Sequence, residues 1–385
     1  MQIKKVKIHL LEPIKINFPD YHEFPGAQRA ESFNIEPGLV RIFTDDGLEG
    51  NFLIEDHSLA MGLIKPLKRM LIGIDPLDKE KFFGHYPPTH RRGLGTGTYW
   101  SWPTFNGDIF LCVIDVCMWD IIGKYFKMPI YRLLGACREK VLAYASTHHL
   151  KSVKEYLDTA EKCLEEGFKA IKIHTPSTLG FGDWKHDIEV CRAVRDLVGD
   201  DVKLLLDPYV AYDRRTALKV GREIQRLDFC AYEDPLPTSD IDGYVELCRE
   251  LDVDIWCGEF LQSLYQYSEY IRRGATDAVR CSMENVGGVT PLMKVAHLAE
   301  AFGLNCEPHS WGGQFTQAAH LHCELAMHNN EFVELTVPQG SYDLPVINEE
   351  IRVGKDGYVR ALKGPGLGLT IDEDALNKAT VKVLE

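Results

Sequence analysis

From Val141 onward the chain repeats one unit. Eight short apolar or β-branched runs begin 24–33 residues apart: Val141–Ser146, Lys169–His174, Val202–Asp207, Phe229–Glu233, Asp254–Glu259, Ala278–Ser282, Leu304–His309 and Phe332–Val337. Most are separated by a helical pattern, as at Val153–Glu166, Trp184–Val198, Arg214–Leu227, Gly243–Leu251 and Pro291–Phe302. A strand and a returning helix at that rhythm predict a (β/α)8 barrel. A doubly wound sheet is the competing arrangement, but it seldom sustains eight such units, and no GxGxxG follows a strand here.

The residues before the repeat read differently. Strand-like segments at Ile3–Leu10, Gly38–Thr44 and Gly50–Ile54 precede helical patterns at His57–Leu71, Asp78–Phe83 and Asp108–Phe126. Strands first and helices afterwards predict an α+β module. Phe18–Glu31 and Gly84–Phe105 fit no element, and unstructured stretches of that length are read as functional loops. The tail from Glu349, with its GPGLGL turn, comes too late to be a barrel unit and is expected to pack back on the first module.

Composition narrows the function. An apolar fraction of 45% supplies a sizeable core. Lys+Arg 43 against Asp+Glu 57 leaves −14, which argues against nucleic acid and anionic membranes as partners. Eleven cysteines without a CxxC pair read as free thiols in a reducing cytoplasm. The most apolar window, Asp108–Phe126, carries Asp115, Asp120 and Lys124, so it reads as a buried helix rather than a membrane span. The opening MQIKKVKIHLLEPIKI alternates like a strand and lacks a signal peptide's apolar core. A cytoplasmic protein is expected.

In a barrel, chemistry sits at the C-terminal ends of the strands. Those ends carry Lys172 and His174, then Asp207, Glu233, Glu259, Ser282, His309 and Glu334. One acidic residue at a strand end means little. Three on successive strands, 26 and 26 residues apart, are a set of hard oxygen donors suited to Mg²⁺. Lys172 and His174 are two apart on one strand, so both face the interior.

These residues, with DVCMWDIIGKYFKMPIYRLLG, the KIH strand, ENVGGVT, the PH pair at His309 and the closing PGLGL, resemble the enolase superfamily and its mandelate racemase subgroup. The likeness runs over nearly the whole chain. It implies a modified (β/α)7β barrel at 128–348, an N-terminal α+β capping domain at 1–127, and a C-terminal segment at 349–385 that completes the cap. It implies Mg²⁺ held by Asp207, Glu233 and Glu259, with His174 or Lys172 removing the proton α to a substrate carboxylate. The cation stabilises the enediolate that results. The resemblance places His309 on the opposite side of the substrate and has Glu334 hydrogen-bond the substrate carboxylate.

Two departures matter. The aspartate that usually partners His309 is replaced by Ser282, so a glutamate such as Glu284 or Glu307 would have to orient His309 if it served as a base. Tyr209 follows Asp207 where a polar amide is frequent. Tyr21, His22 and Arg29 match the loop that selects the substrate's distal end, and Ser282 is a further substrate-binding candidate. His148 and His149 follow the first barrel strand and point to opposite sides. His320 and His322 are read as packing or surface residues.

The expected activity is Mg²⁺-dependent dehydration of a sugar acid, aldonate or aldarate, to a 2-keto-3-deoxy acid, with His309 protonating the leaving hydroxyl. A racemase or epimerase sharing the first step is the alternative, and a ligand-binding barrel without catalysis is the second. The partners expected are a small carboxylate substrate and further copies of the chain in a homo-oligomer.

Overall fold

Residues 1–16, 32–80, 109–180 and 183–385 are described by the structure, a computed structural model. The chain opens as an antiparallel sheet. β1 (Ile3–Leu11) pairs with β4 (Gly38–Thr44), which pairs with β5 (Glu49–Ile54); a short ladder joins β2 (Ile14–Ile16) to β3 (Phe33–Ile35). α1 (His57–Leu71) starts where the Asp56 carboxylate accepts from Leu59 N, and buries Ala60, Leu63, Leu67 and Leu71 as one stripe. The described part of the expected Asp78–Phe83 helix begins as a single 3₁₀ turn at Pro76–Asp78. The expected loops at Phe18–Glu31 and Gly84–Phe105 lie outside the described residues.

α2 (Ile109–Phe126) is buried around almost its whole circumference, because it is packed between the first sheet and the barrel. Its carboxylates tie it to both. Asp115 accepts from Thr290 N and Oγ1 at 2.7 Å each, and Asp120 accepts from Asn51 N, Leu367 N and Lys124 Nζ. Those hydrogen bonds make buried carboxylates tolerable. No helix among the described residues is long and apolar enough to cross a membrane. All eleven cysteines are free thiols.

After the short α3 (Ile130–Leu133) come eight parallel strands: β6 (Lys140–Ser146), β7 (Ala170–His174), β8 (Lys203–Asp207), β9 (Ala231–Glu233), β10 (Asp254–Cys257), β11 (Ala278–Val279), β12 (Asn305–Cys306) and β13 (Phe332–Thr336). Their order is β13-β6-β7-β8-β9-β10-β11-β12, a curled sheet. The helices between them are α4 (Val153–Glu166), α5 (Trp184–Val198), α6 (Arg214–Arg226), α7 (Ile241–Glu250), α8 (Leu264–Arg273), α9 (Met283–Val286), α10 (Val289–Ala301) and α11 (Gln314–Glu324). α8 was absent from the sequence reading, because its buried face is Tyr267, Tyr270 and Ile271, and tyrosines blur an apolar stripe.

Between β12 and β13 one side chain does what a ladder does elsewhere. Glu307 Oε1 accepts from Asn305 Nδ2 and Glu331 N, and Oε2 accepts from Phe332 N and Asn330 Nδ2. Glu307 therefore fastens the last two strands. It does not orient His309, which corrects that expectation.

The tail touches both modules. β14 (Tyr358–Arg360) pairs antiparallel with β6, so this part lies on the barrel and not on the first module. The GPGLGL turn then reaches α2: Gly366 has φ +69, and a Cβ there would meet Asp120 Oδ1 at 2.1 Å. After α12 (Glu373–Ala379), β15 (Thr380–Leu384) pairs with β1, giving the first sheet the order β15-β1-β4-β5.

Candidate active site

The barrel interior is layered by the two-residue period of its strands. One layer is apolar and buried: Tyr144, Ala170, Leu205, Ala231, Trp256, Ala278 and Phe332. Two residues further along the same strands, the inward positions become Ser146, Lys172, Asp207, Glu233, Arg280 and Glu334, every one of them buried. A hydrophobic plug thus supports a charged floor. Arg280 belongs to this floor and was missed as a site residue, although the period-two rule that singled out Lys172 reaches it as well.

The floor is held by ion pairs. Lys172 Nζ lies 3.3 Å from Asp207 Oδ2, 3.0 Å from Glu233 Oε2 and 2.9 Å from Glu334 Oε1. Arg280 reaches Glu233 Oε1 at 2.8 Å and Glu334 Oε2 at 3.0 Å. Burial opposes the charge on Lys172, but Glu233 and Glu334 overcome it and hold its pKa well above the usual lysine value. The surrounding carboxylates thus favour its ammonium form.

Glu334 has both oxygens taken. Besides the two cations, Ser146 Oγ donates to Oε1 and Ser310 N to Oε2. Burial opposes ionisation, yet Lys172 and Arg280 keep its carboxyl well below the ordinary range. Saturated with donors, and absent from the cavity wall among the described residues, Glu334 positions the two cations.

His174 ends β7. Its Nδ1 is 2.5 Å from Thr147 O, a carbonyl that only accepts, so Nδ1 carries the hydrogen. Nε2, the ring's other proton site, lies 3.0 Å from Asp207 Oδ2 and donates to that carboxylate when it carries a hydrogen. The ring packs edge-on against His149 and Trp311, at 4.9 and 5.5 Å between centroids. Thr147 and Trp311 carried no signal in the sequence, since one acts through its carbonyl and the other lies beyond its strand.

Asp207, Glu233 and Glu259 come from successive strands and are all buried. Burial opposes ionisation of Asp207, but His174 and Lys172 hold its pKa below the usual value. Glu259 behaves oppositely: burial, then Asp234, Glu233 and Asp207, push its carboxyl well above the usual range. Four carboxyl groups of the site (Asp207, Glu233, Glu259 and Glu334) face two cations, and the upward shift of Glu259 reflects that surplus. A hard divalent cation fits that excess. Among the described residues no ready-made metal-binding group is closed, and Lys172 Nζ stands between Asp207 and Glu233.

His309 follows β12. Its Nε2 lies 3.7 Å from Glu259 Oε2, and its side chain keeps 27% exposure toward the cavity. The desolvated surroundings lower its pKa to about 3, against the pull of Glu334. Ser282 and His309 share a single parallel bridge, but the Ser282 hydroxyl donates to Glu284 Oε2, and Thr316 Oγ1 donates to Glu284 Oε1. Glu284 is therefore held by two hydroxyls and is not the partner of His309.

The cavity above the floor has a volume of about 710 Å³. His174, Asp207, Tyr209, Glu259, Ser282 and His309 line it from the barrel, and Phe33, Phe52 and Glu55 are among those that line it from the first module. Tyr209 sits at φ +50, its N–H donating to Asp207 Oδ1 at 2.7 Å. Tyr21, His22 and Arg29 lie outside the described residues. His320 and His322 are buried in α11 away from the cavity: His320 faces Met283 N and Thr316 O, and His322 faces Tyr131 N and Leu367 O.

The family described as enolase C-terminal domain-like matches residues 155–375. The arabinonate dehydratase of Saccharolobus solfataricus is 30% identical over 272 residues, 70% of this chain and 71% of that protein. The L-talarate/galactarate dehydratase of Salmonella typhimurium is 28% identical, covering 88% of this chain and 81% of its own length. An isomerase is similar too: the D-galactarolactone cycloisomerase of Agrobacterium fabrum is 28% identical over 98% of both chains. In structure the chain is similar to D-glucarate dehydratase from Agrobacterium tumefaciens complexed with magnesium, with a TM-score of 0.83 and 28% identity over 99% of this chain and 100% of that one.

Proposed function

Because the chain belongs to the enolase superfamily, we propose that it dehydrates a sugar acid to a 2-keto-3-deoxy acid with Mg²⁺ as cofactor. The observation that carries this reading is the surplus of carboxyl groups over cations around Asp207, Glu233 and Glu259, with His174 and His309 in the same cavity.

Asp207, Glu233 and Glu259 would hold Mg²⁺, which supplies the positive charge that stabilises negative charge building on the substrate carboxylate. His174, with Nδ1–H held on Thr147 O, takes the α-proton at Nε2 once that atom has released its contact with Asp207 Oδ2. Lys172 stays an ammonium and orders Asp207, Glu233 and Glu334. His309 gives a proton to the 3-hydroxyl, which leaves as water, and the resulting enol becomes the 2-keto product.

Racemisation needs a second base on the opposite face. Among the described residues no carboxylate hydrogen-bonds the His309 ring to support that role, which favours dehydration. A ligand-binding barrel without catalysis would have no use for excess buried charge beside a tautomer-fixed histidine. The test is a screen of sugar acids with Mg²⁺ and the purified chain, with 2-keto product trapped as a hydrazone. Metal-dependent keto product from at least one sugar acid is expected; substrates bound but unchanged would refute the proposal.

A further inference from the structure

Glu284 occupies a place the reaction does not use. It lies on the short α9, and the cavity wall includes it. Its two oxygens each accept one hydroxyl, Ser282 Oγ and Thr316 Oγ1, both at 3.0 Å. A carboxylate has about four lone-pair positions, so two hydroxyl contacts leave acceptor capacity on a side chain that lines the cavity. Its neighbour Asn285 ties α9 to the metal-side strand by donating to Glu259 O. Across the cavity the first module contributes Glu55 and Asp56, and the described lining contains no lysine or arginine.

Resting on the dehydratase reading, we infer that Glu284 is a specificity-determining residue that accepts hydrogen bonds from hydroxyls at the neutral end of the substrate, so that the site takes sugar monoacids in preference to diacids. A fixed carboxylate accepts from neighbouring hydroxyls without paying to order itself. A second substrate carboxylate would meet Glu284, Glu55 and Asp56 as like charges and would have to be desolvated beside them.

The test uses the full chain with Mg²⁺ and matched pairs such as gluconate with glucarate and galactonate with galactarate, which differ only at the distal carbon. Binding is read by calorimetry and turnover as separate kcat and KM. Monoacids are expected to lead their diacid partners in kcat/KM by about tenfold or more, the size of one charge-assisted hydrogen bond. Glu284→Gln should shrink that ratio by about tenfold, mainly through a higher monoacid KM. Thr316→Val, which frees one carboxylate oxygen without removing it, should shrink the ratio less and covers the case in which Glu284→Gln fails to fold. Diacids processed as well as monoacids, or a ratio unmoved in both variants, would overturn the inference and leave the dehydratase reading standing. Failure of every pair to bind or react would overturn both.

Discussion

His174 Nε2 and Asp207 Oδ2 lie 3.0 Å apart, and the same oxygen lies 3.3 Å from Lys172 Nζ. One carboxylate thus joins the atom proposed to take the substrate proton, the ammonium beneath it and the set of oxygens proposed to hold the cation. Base and metal site cannot be altered independently, and each prediction separates them by choosing which partner to remove.

The excess negative charge makes a thermal prediction. Mg²⁺ at one hundred times its dissociation constant should stabilise the protein by about 2.7 kcal/mol, and a chelator should reverse this. Glu259→Gln removes a crowded buried carboxylate, so the metal-free variant should melt higher than the metal-free wild type, lose the Mg²⁺ response and lose activity. An equal Mg²⁺ shift in both proteins would remove Glu259 from the metal site.

Lys172 and His174 should separate cleanly. His174→Asn should fold and fail to exchange the substrate α-proton into D₂O. Lys172→Ala leaves Glu233 and Glu334 short of a counter-ion and should lose roughly 3–5 kcal/mol in urea unfolding, as for a broken buried pair. Exchange that persists in His174→Asn and vanishes in a folded Lys172→Ala would make the lysine the base.

How much of this was legible in sequence follows from distance along the chain. The strand rhythm and the residues ending each strand are local, so the fold and Lys172, His174, Asp207, Glu233 and Glu259 were named from it. β11 and β12 are only two residues long, shorter than their apolar runs, although Ser282 and His309 still share a parallel bridge beyond them. Glu284 and Thr316 were not found together, since their contact joins residues 32 positions apart. The role of Glu307 was hidden for a similar reason: its partners include the backbone N–H groups of Glu331 and Phe332 on the far side of the seam.

That seam gives a stability prediction. Glu307→Gln replaces one carboxylate oxygen with an amide NH2 that faces N–H donors, leaving two of four hydrogen bonds unmade. A loss of about 3 kcal/mol is expected, read from the urea midpoint. An unchanged midpoint would show that the last two strands are held by other contacts.

His322 sets a pH dependence. Nδ1 accepts from Tyr131 N while Nε2 donates to Leu367 O, so both nitrogens are committed in the neutral form. Burial lowers its pKa from 6.5 to about 4. A histidine with a depressed folded pKa contributes stability that is complete above about 6.5 and is lost as pH falls toward 4, about 3 kcal/mol in all. Unfolding of wild type and His322→Asn between pH 7.5 and 4 should show a flatter profile in the variant. Identical slopes would exclude His322 as the source.

The most direct test of the proposed reaction follows α-proton exchange and keto-product release together, by NMR in D₂O, for wild type and His309→Asn. The proposal assigns the two steps to different histidines. Wild type should release keto product, whereas His309→Asn should lose product formation while part of the exchange, driven by His174, survives. Wild-type enzyme that inverts a sugar acid at C2 without releasing keto product would contradict the proposal and make His309 a second base.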